Sequence, residues 1–263
     1  MSLSDMQSVL AKLYTDEIYR GLFFKNPEAA VESLGLPAAE AAALAALPRA
    51  PVEEIAGELF GKALDRIRNA YPAACAAAPD RVARAYRRYY AGHPSQDRAQ
   101  SLAHLIGFGS SLAQAVGAGD PPYLFDLVRY ERQRLCTKRG AEPARSAGDG
   151  EPAREARPRL ARGTTVERHG FAVAAIAAAL GRGEAVAPQP SACILAVYRR
   201  REDGAPGALA INAATERLLD LCDGRTDLAA CARILGEELR RGDVADLVRR
   251  HVSHLVRLGV LHA

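Results

Sequence analysis

The chain has 263 residues and a mass of 28.1 kDa, which excludes a single small module and leaves room for two domains. Apolar residues make up 49% and charged residues 25%, which excludes wholesale disorder and a fibrous repeat. The 35 Lys and Arg residues exceed the 31 Asp and Glu residues by only four, too few to indicate a nucleic-acid partner. Aromatic residues are scarce at 6%, so the composition predicts a mainly α fold with a small β component.

The cysteines and the hydropathy pattern indicate where the protein acts. Five cysteines occur without a close CxxC pair, and no charged segment precedes an apolar one at the start. No run approaches the roughly 18 to 20 apolar residues that a membrane span needs. We therefore expect a soluble, cytoplasmic protein with reduced thiols and no membrane partner.

Helical periodicity runs through the first half of the chain. Asn26 before Pro27 predicts a helix start, and Gly35 predicts the end of that helix. Further helices are predicted from Pro51 to Tyr71 and over 80–90, 101–115 and 123–135. The glycine-containing stretches at 107–111 and 117–120 lack the Lys and the strand-to-helix context of a phosphate loop, so we expect helix breaks there. Residues 1–137 are thus predicted to form one helical domain.

Composition then changes twice. Residues 138–158 (KRGAEPARSAGDGEPAREARP) lack apolar periodicity and are predicted to be a flexible linker. In 159–263, strands are predicted at 164–167, 191–198 and 208–211, the last two as a hairpin, with a helix over 171–180. Three final helices are predicted: Asn212 caps the first, Thr226-Asp227 opens the second and Asp243 caps the third. This order predicts a winged helix-turn-helix domain.

Three parts of the sequence resemble known families or modules. INAATERLLDLCDGRTDLAACARIL with DVADLVRRHVSHLVRLGVL, within 208–261, resembles the PqqD-like RiPP recognition element, a winged helix that binds leader peptides of ribosomally made natural products. The segments YRRYYAGHP, PYLFDLVRYE, VERHGFAV and ILAVYRR resemble partner proteins of multinuclear non-haem iron oxidative enzymes. LYTDEIYRGLFFKNPEAAVESLGL resembles a short helical module found in various peptide-modifying pathways.

The resemblance implies a non-catalytic partner subunit that binds a precursor peptide and presents it to an iron enzyme of the TIM-barrel type in a hetero-oligomer. Iron then belongs to the enzyme, and no cofactor is expected in this chain. The leader would add as a strand beside a groove. The residues implied for this site are Ala208, Leu209, Ala210, Ile211, Asn212, Val244, Leu247, Val248, His251 and Leu255. The tyrosines considered for enzyme docking are Tyr86, Tyr89, Tyr90, Tyr123 and Tyr130.

Each site residue also has a simpler interpretation. Most of the apolar groove positions are expected to face the core, and helix packing explains the tyrosines equally well. His251 and His254 lack further ligands at a metal-site spacing, and Cys193, Cys222 and Cys231 fall on apolar faces. No carboxylate pair marks an acid and a base, so a free-standing enzyme is not favoured.

A second functional class stays open, namely a winged-helix transcription regulator with a helical sensor domain. Arg240, Arg241, Arg249 and Arg250 lie on or beside the last helix, where a regulator contacts DNA. Asp243 and Asp246 occupy its first turn, and carboxylates there would repel phosphates. We therefore expect no nucleic-acid partner, and interpret the arginines as a solvated face or a contact to an acidic leader.

Overall fold

The structure, a computed structural model, describes residues 3–32, 37–93, 102–139, 152–242 and 244–262. Its contacts divide the chain into two compact units, Met1–Pro121 and Pro122–Ala263. The described residues are mainly helical with two small antiparallel sheets. This confirms the predicted mainly α class with a small β component.

The first unit is built from helices in its described part. They are α1 (Leu3–Thr15), α2 (Glu17–Lys25), α3 (Pro27–Glu32), α4 (Ala38–Ala45), α5 (Arg49–Ala70), α6 (Pro72–Ala77), α7 (Pro79–Ala91) and α8 (Leu102–Ala115). The Asn26 side chain accepts a hydrogen bond from the Ala29 N–H at 3.2 Å, which confirms the predicted cap before α3. The predicted end of this helix at Gly35 lies outside the described residues.

Helix α8 corrects the prediction of a helix break at 107–111. The helix continues through Gly107 and Gly109, and each glycine lies against a tyrosine side chain, Tyr89 and Tyr71 respectively. A Cβ atom on Gly109 would lie 2.8 Å from Cζ of the fully buried Tyr71 and closer still to its hydroxyl oxygen. That hydroxyl donates to the Leu105 carbonyl at 2.7 Å. The glycines therefore allow a close aromatic contact and do not end the helix.

The second unit contains the sheets. Its elements are α9 (Leu124–Arg139), β1 (Arg159–Leu160), β2 (Thr165–His169), α10 (Val173–Gly181), β3 (Cys193–Arg199), β4 (Pro206–Ile211), α11 (Ala213–Leu221), α12 (Leu228–Glu238), α13 (Ala245–Leu258) and β5 (Leu261–His262). β2, β3 and β4 form one antiparallel sheet in that order, and β1 pairs with β5. The predicted hairpin is thus β3–β4, with Gly204 at φ +67° in its turn.

Both faces of the three-stranded sheet are covered. Ala196 and Tyr198 of β3 pack into a core with α11, α12 and α13, together with Leu209 and Ile211 of β4. Leu195 and Val197, which alternate with them along β3, pack with Tyr130 of α9 and Val173 of α10. Because side chains alternate between the two faces along a strand, β3 contributes residues to both cores. The layer formed by α9 and α10 was not predicted.

The helix caps of the second unit follow from local sequence. Asn212 accepts from the Thr215 N–H and Asp227 from the Ala230 N–H, both at 2.8 Å, which confirms the predicted starts of α11 and α12. Gly259 ends α13 with φ +96°, as a residue without Cβ can. The predicted cap at Asp243 lies outside the described residues.

The division between the units differs from the predicted domains 1–137 and 159–263. It falls after Pro121, because α9 packs on α10 and on the sheet. Most of the predicted linker at 138–158 lies outside the described residues, and its last part is held in place. Ala229 donates its N–H to the Arg154 carbonyl at 3.2 Å, Leu228 to Ala156 at 3.1 Å and Gly224 to Pro158 at 3.0 Å. These three bonds fix the segment against the start of α12.

Candidate functional site

β4 forms one edge of the three-stranded sheet. It pairs with β3 from Pro206 to Ile211, and no other strand in the described ranges pairs with it. Leu209 and Ile211 are half-buried on the face toward the helical core, whereas Ala208 and Ala210 are exposed. The predicted strand of the leader site is therefore a real strand at a sheet edge.

The direction of the backbone groups on β4 follows from its register. Arg200 donates its N–H to the Ala205 carbonyl at 2.9 Å, so this pair is hydrogen-bonded. Hydrogen-bonded and non-hydrogen-bonded pairs alternate along an antiparallel ladder. Leu209 and Ile211 therefore bond to β3, and the N–H and C=O groups of Ala208 and Ala210 point away from the sheet. β4 thus presents four outward backbone groups within three residues.

The opposite edge of the sheet, β2, is partly occupied by side chains. The Arg168 carbonyl accepts a hydrogen bond from Arg129 Nη1 at 3.2 Å. The Arg168 guanidinium forms two bonds to Glu216, at 2.9 and 2.6 Å. Unpaired edge groups are what a foreign strand recognises. The two edges therefore differ, and β4 is the more accessible one.

The α13 residues assigned to the groove divide into two groups. Val248 and Leu255 are buried in the core, so in this conformation they cannot line an open groove. Leu247 is 54% exposed, and Val244 and His251 are half-buried. Among the α13 residues assigned to the groove, only Leu247 is therefore an exposed apolar side chain.

Asn212 and His251 serve the start of α11. The Asn212 side chain caps that helix at Thr215, so its amide oxygen is already engaged. His251 Nε2 lies 3.1 Å from the Thr215 hydroxyl. Burial, then the neighbouring His254, lowers the pKa of His251. Asn212 therefore stabilises the start of α11, and His251 links α13 to it.

Neither metal ligation nor thiol chemistry is supported at this site. Within the described ranges, no group of three or more His, Cys, Asp or Glu side chains could hold a metal ion. Burial raises the pKa of Cys222 to about 12 and also raises that of Cys231, so both thiols stay protonated at neutral pH. No helix of the described chain is both long and apolar enough to cross a bilayer.

The tyrosines considered for enzyme docking are mostly unavailable for contact. Tyr86, Tyr123 and Tyr130 are buried, because Tyr86 packs on Phe108 and the other two pack within the second unit. Tyr89 and Tyr90 are half-buried on α7. These positions therefore act mainly in packing.

A charged cluster that sequence reasoning missed joins α9 to β2. Asp126 Oδ2 accepts the Gly170 N–H at 2.6 Å, and Arg129 Nη2 contacts Glu167 at 2.5 Å. The buried His169 has its Nδ1 3.6 Å from Asp126 Oδ1, too far for a hydrogen bond. The spacing of Asp126 and Arg129, one helical turn apart, was the only signal in the sequence.

Cys193, His169 and Asp126 are the residue types of a nucleophilic triad, and Cys193 lies opposite His169 in the β2–β3 register. The Cys193 thiol donates to the Phe171 carbonyl at 3.2 Å, and burial raises its pKa. A catalytic cysteine requires the reverse, a lowered pKa and a base that accepts its proton. The cluster is therefore structural.

His169 predicts a loss of stability in acid. Burial lowers its pKa below the ordinary value of 6.5, and neither ring nitrogen has a hydrogen-bond partner among the described residues. Asp126 and Glu167 raise that pKa and Arg129 lowers it, but burial outweighs them. The unfolded chain then binds a proton more readily than the folded one. The free energy of unfolding is expected to be unaffected above pH 6.5 and to fall below it, toward the lowered folded pKa.

Hydrogen exchange of the β2 and β3 amides at pH 7.5 and pH 5.5, corrected for intrinsic rates, measures this effect. We expect His169→Gln to reduce the difference between the two pH values, because glutamine does not titrate. His254→Gln, at an exposed histidine of the same unit, should retain most of it. An unchanged pH dependence in His169→Gln would contradict the assignment.

In comparison with known proteins, the chain matches no family model and no curated protein sequence.

Proposed function

We propose that the protein is a non-catalytic partner subunit that binds the leader region of a ribosomally made precursor peptide. The peptide would pair with β4 as an additional strand and be presented to an iron-dependent oxidative enzyme. The observation that carries this proposal is the outward N–H and C=O groups of Ala208 and Ala210 at an edge without a described partner strand. The second unit would then be a winged helix of the RiPP recognition element type.

The energetics of strand addition suit reversible capture. A backbone hydrogen bond contributes a net of about 0.5 to 1.5 kcal/mol, and Ala208 and Ala210 offer four such groups. Ordering a disordered leader costs about 2 to 5 kcal/mol, which offsets most of this gain and favours weak, readily reversible binding. Such an affinity allows the product to leave after modification.

The first unit would contact the enzyme, and iron would belong to that enzyme. Ile18 and Leu22 lie one turn apart on α2 and are 76% and 64% exposed. They are therefore better placed for a partner than the buried tyrosines. Holding the peptide beside the enzyme raises its effective concentration without new contacts at the reacting atom.

Ala208→Pro tests the proposal because it removes one outward N–H and leaves the bonds of Leu209 and Ile211 to β3. Ala208→Val is the matched control, since it has similar bulk and keeps the N–H. The probe is a fluorescent synthetic peptide with the leader sequence of a precursor encoded beside this chain. We expect Ala208→Pro to weaken binding by about tenfold or more and Ala208→Val by less than about threefold.

The other outcomes count against the proposal. Equal affinity of wild type and Ala208→Pro, with both folded by circular dichroism, would show that the leader does not pair with this edge. An equal loss of affinity in Ala208→Pro and Ala208→Val would indicate a steric effect. That result would also reject backbone pairing. Salt-dependent binding to duplex DNA would favour the regulator alternative instead. Against that alternative, Arg249 already contacts Asp246 in the first turn of α13.

A further inference from the structure

A cavity of about 380 Å³ lies in the second unit between α12 and the start of α13. Buried Leu228 and Ala232 form part of its wall, so the charged groups around it lie against an apolar surface. Electrostatic interactions are stronger where nearby water is displaced by apolar atoms. Its size is within the range of small-ligand sites in proteins.

The charges around the cavity do not balance. Arg233 pairs with Glu237 at 3.0 Å, and Arg249 pairs with Asp246. These pairs account for both carboxylates that line the cavity in the described chain.

Two further guanidinium groups line the cavity, those of Arg154 and Arg241. Neither forms an ion pair with any residue that the structure describes. They come from different segments, since the Ala229 N–H holds the Arg154 backbone while Arg241 lies in the turn before α13. Among the described residues, the cavity therefore has two positive charges without an ion-pair partner, and they lie on separate segments.

We propose that this cavity binds an oxyanion, either the phosphate of a small ligand or a carboxylate of an acidic peptide. Planar guanidinium groups form paired, charge-assisted hydrogen bonds to both kinds of anion. Two guanidiniums from different segments can hold one such group between them. The inference is independent of strand addition at β4, because no β4 residue lines the cavity.

Two probes distinguish the sources, namely inorganic pyrophosphate and a synthetic hexaglutamate peptide, each titrated calorimetrically into the full chain at low salt. The test variant is Arg154→Ala with Arg241→Ala. The matched control is Arg250→Ala with Arg257→Ala, which removes the same charge from exposed positions on α13 outside the cavity. The probe that binds more tightly identifies the source of the oxyanion.

We expect saturable binding of at least one probe, weakened about tenfold or more in the test variant and less than about threefold in the control. Absence of saturable binding for both probes would overturn the proposal. Equal weakening in the test and control variants would also overturn it, since a diffuse basic face would then explain the binding. Hydrogen exchange of α12 and α13 shows whether each variant is folded.

Discussion

Gly109→Ala is expected to destabilise the first unit by about 2 to 3 kcal/mol. Within a helix this change normally stabilises, because alanine restricts the unfolded chain. Here the new Cβ atom would meet the ring of Tyr71, which is fully buried and packed edge-on against Phe108. The ring cannot move away from this Cβ atom without breaking the 2.7 Å hydrogen bond from its hydroxyl to the Leu105 carbonyl. Overpacking and a lost hydrogen bond then act together.

Gly57→Ala is the matched control, since Gly57 lies in α5 and has nothing within 4 Å of its hypothetical Cβ. It should stabilise the same unit by about 0.5 to 1 kcal/mol. Tyr71→Phe combined with Gly109→Ala should cost less than the two single changes added, because it removes the nearest clashing atom. Hydrogen exchange of the α7 and α8 amides measures the stability of the wild type and of the four variants, including Tyr71→Phe alone. A Gly109→Ala variant as stable as Gly57→Ala would refute the packing argument.

The same glycine shows where sequence reasoning succeeds and where it stops. Periodicity predicted a helix over 101–115, and α8 occupies Leu102–Ala115. The meaning of Gly109 depended on Tyr71, 38 positions earlier, and no local pattern encodes that contact. Caps such as Asn212 and Asp227 were predictable because the groups that they satisfy lie within three residues.

The same distinction between local and long-range contacts applies to the candidate site. The strand at 208–211 was predictable from its composition and the turn before it. Its position at an edge, and the outward direction of the Ala208 and Ala210 backbone groups, required the register with β3. Apolar periodicity on α13 could not separate the exposed Leu247 from the buried Val248, because neighbouring positions both fit an apolar face.

The boundary between the two compact units differs from the predicted domain boundary for a related reason. α9 lies before a segment of linker composition, and sequence order suggested that it belonged with the helices before it. Tyr130 packs instead with Leu195 and Val197 of β3. These two residues lie more than 60 positions after Tyr130, and such a pairing depends on tertiary contacts, which composition does not reveal.

Asp126→Ala is expected to destabilise the second unit by about 2 kcal/mol, because it removes the carboxylate that joins α9 to the end of β2. The Gly170 N–H loses its 2.6 Å acceptor. Arg129 loses its 3.5 Å contact to Asp126 and keeps its bonds to Glu167 and to the Arg168 carbonyl. The first turn of α9 also loses a negative charge that its dipole favours. Asp126→Asn keeps an acceptor oxygen for Gly170 and should cost about half as much.

Asp220→Ala provides the control, since Asp220 is exposed on α11 and should change stability by less than about 0.5 kcal/mol. Hydrogen exchange distinguishes loss of the α9 layer from general unfolding. In Asp126→Ala the α9 and β2 amides should exchange faster, while those of α12 and α13, in the other core of the unit, should change less. Uniform acceleration would show that the two cores unfold together. If Asp126→Ala and Asp220→Ala are equally stable, the charged cluster around Asp126 does not hold α9 on the sheet.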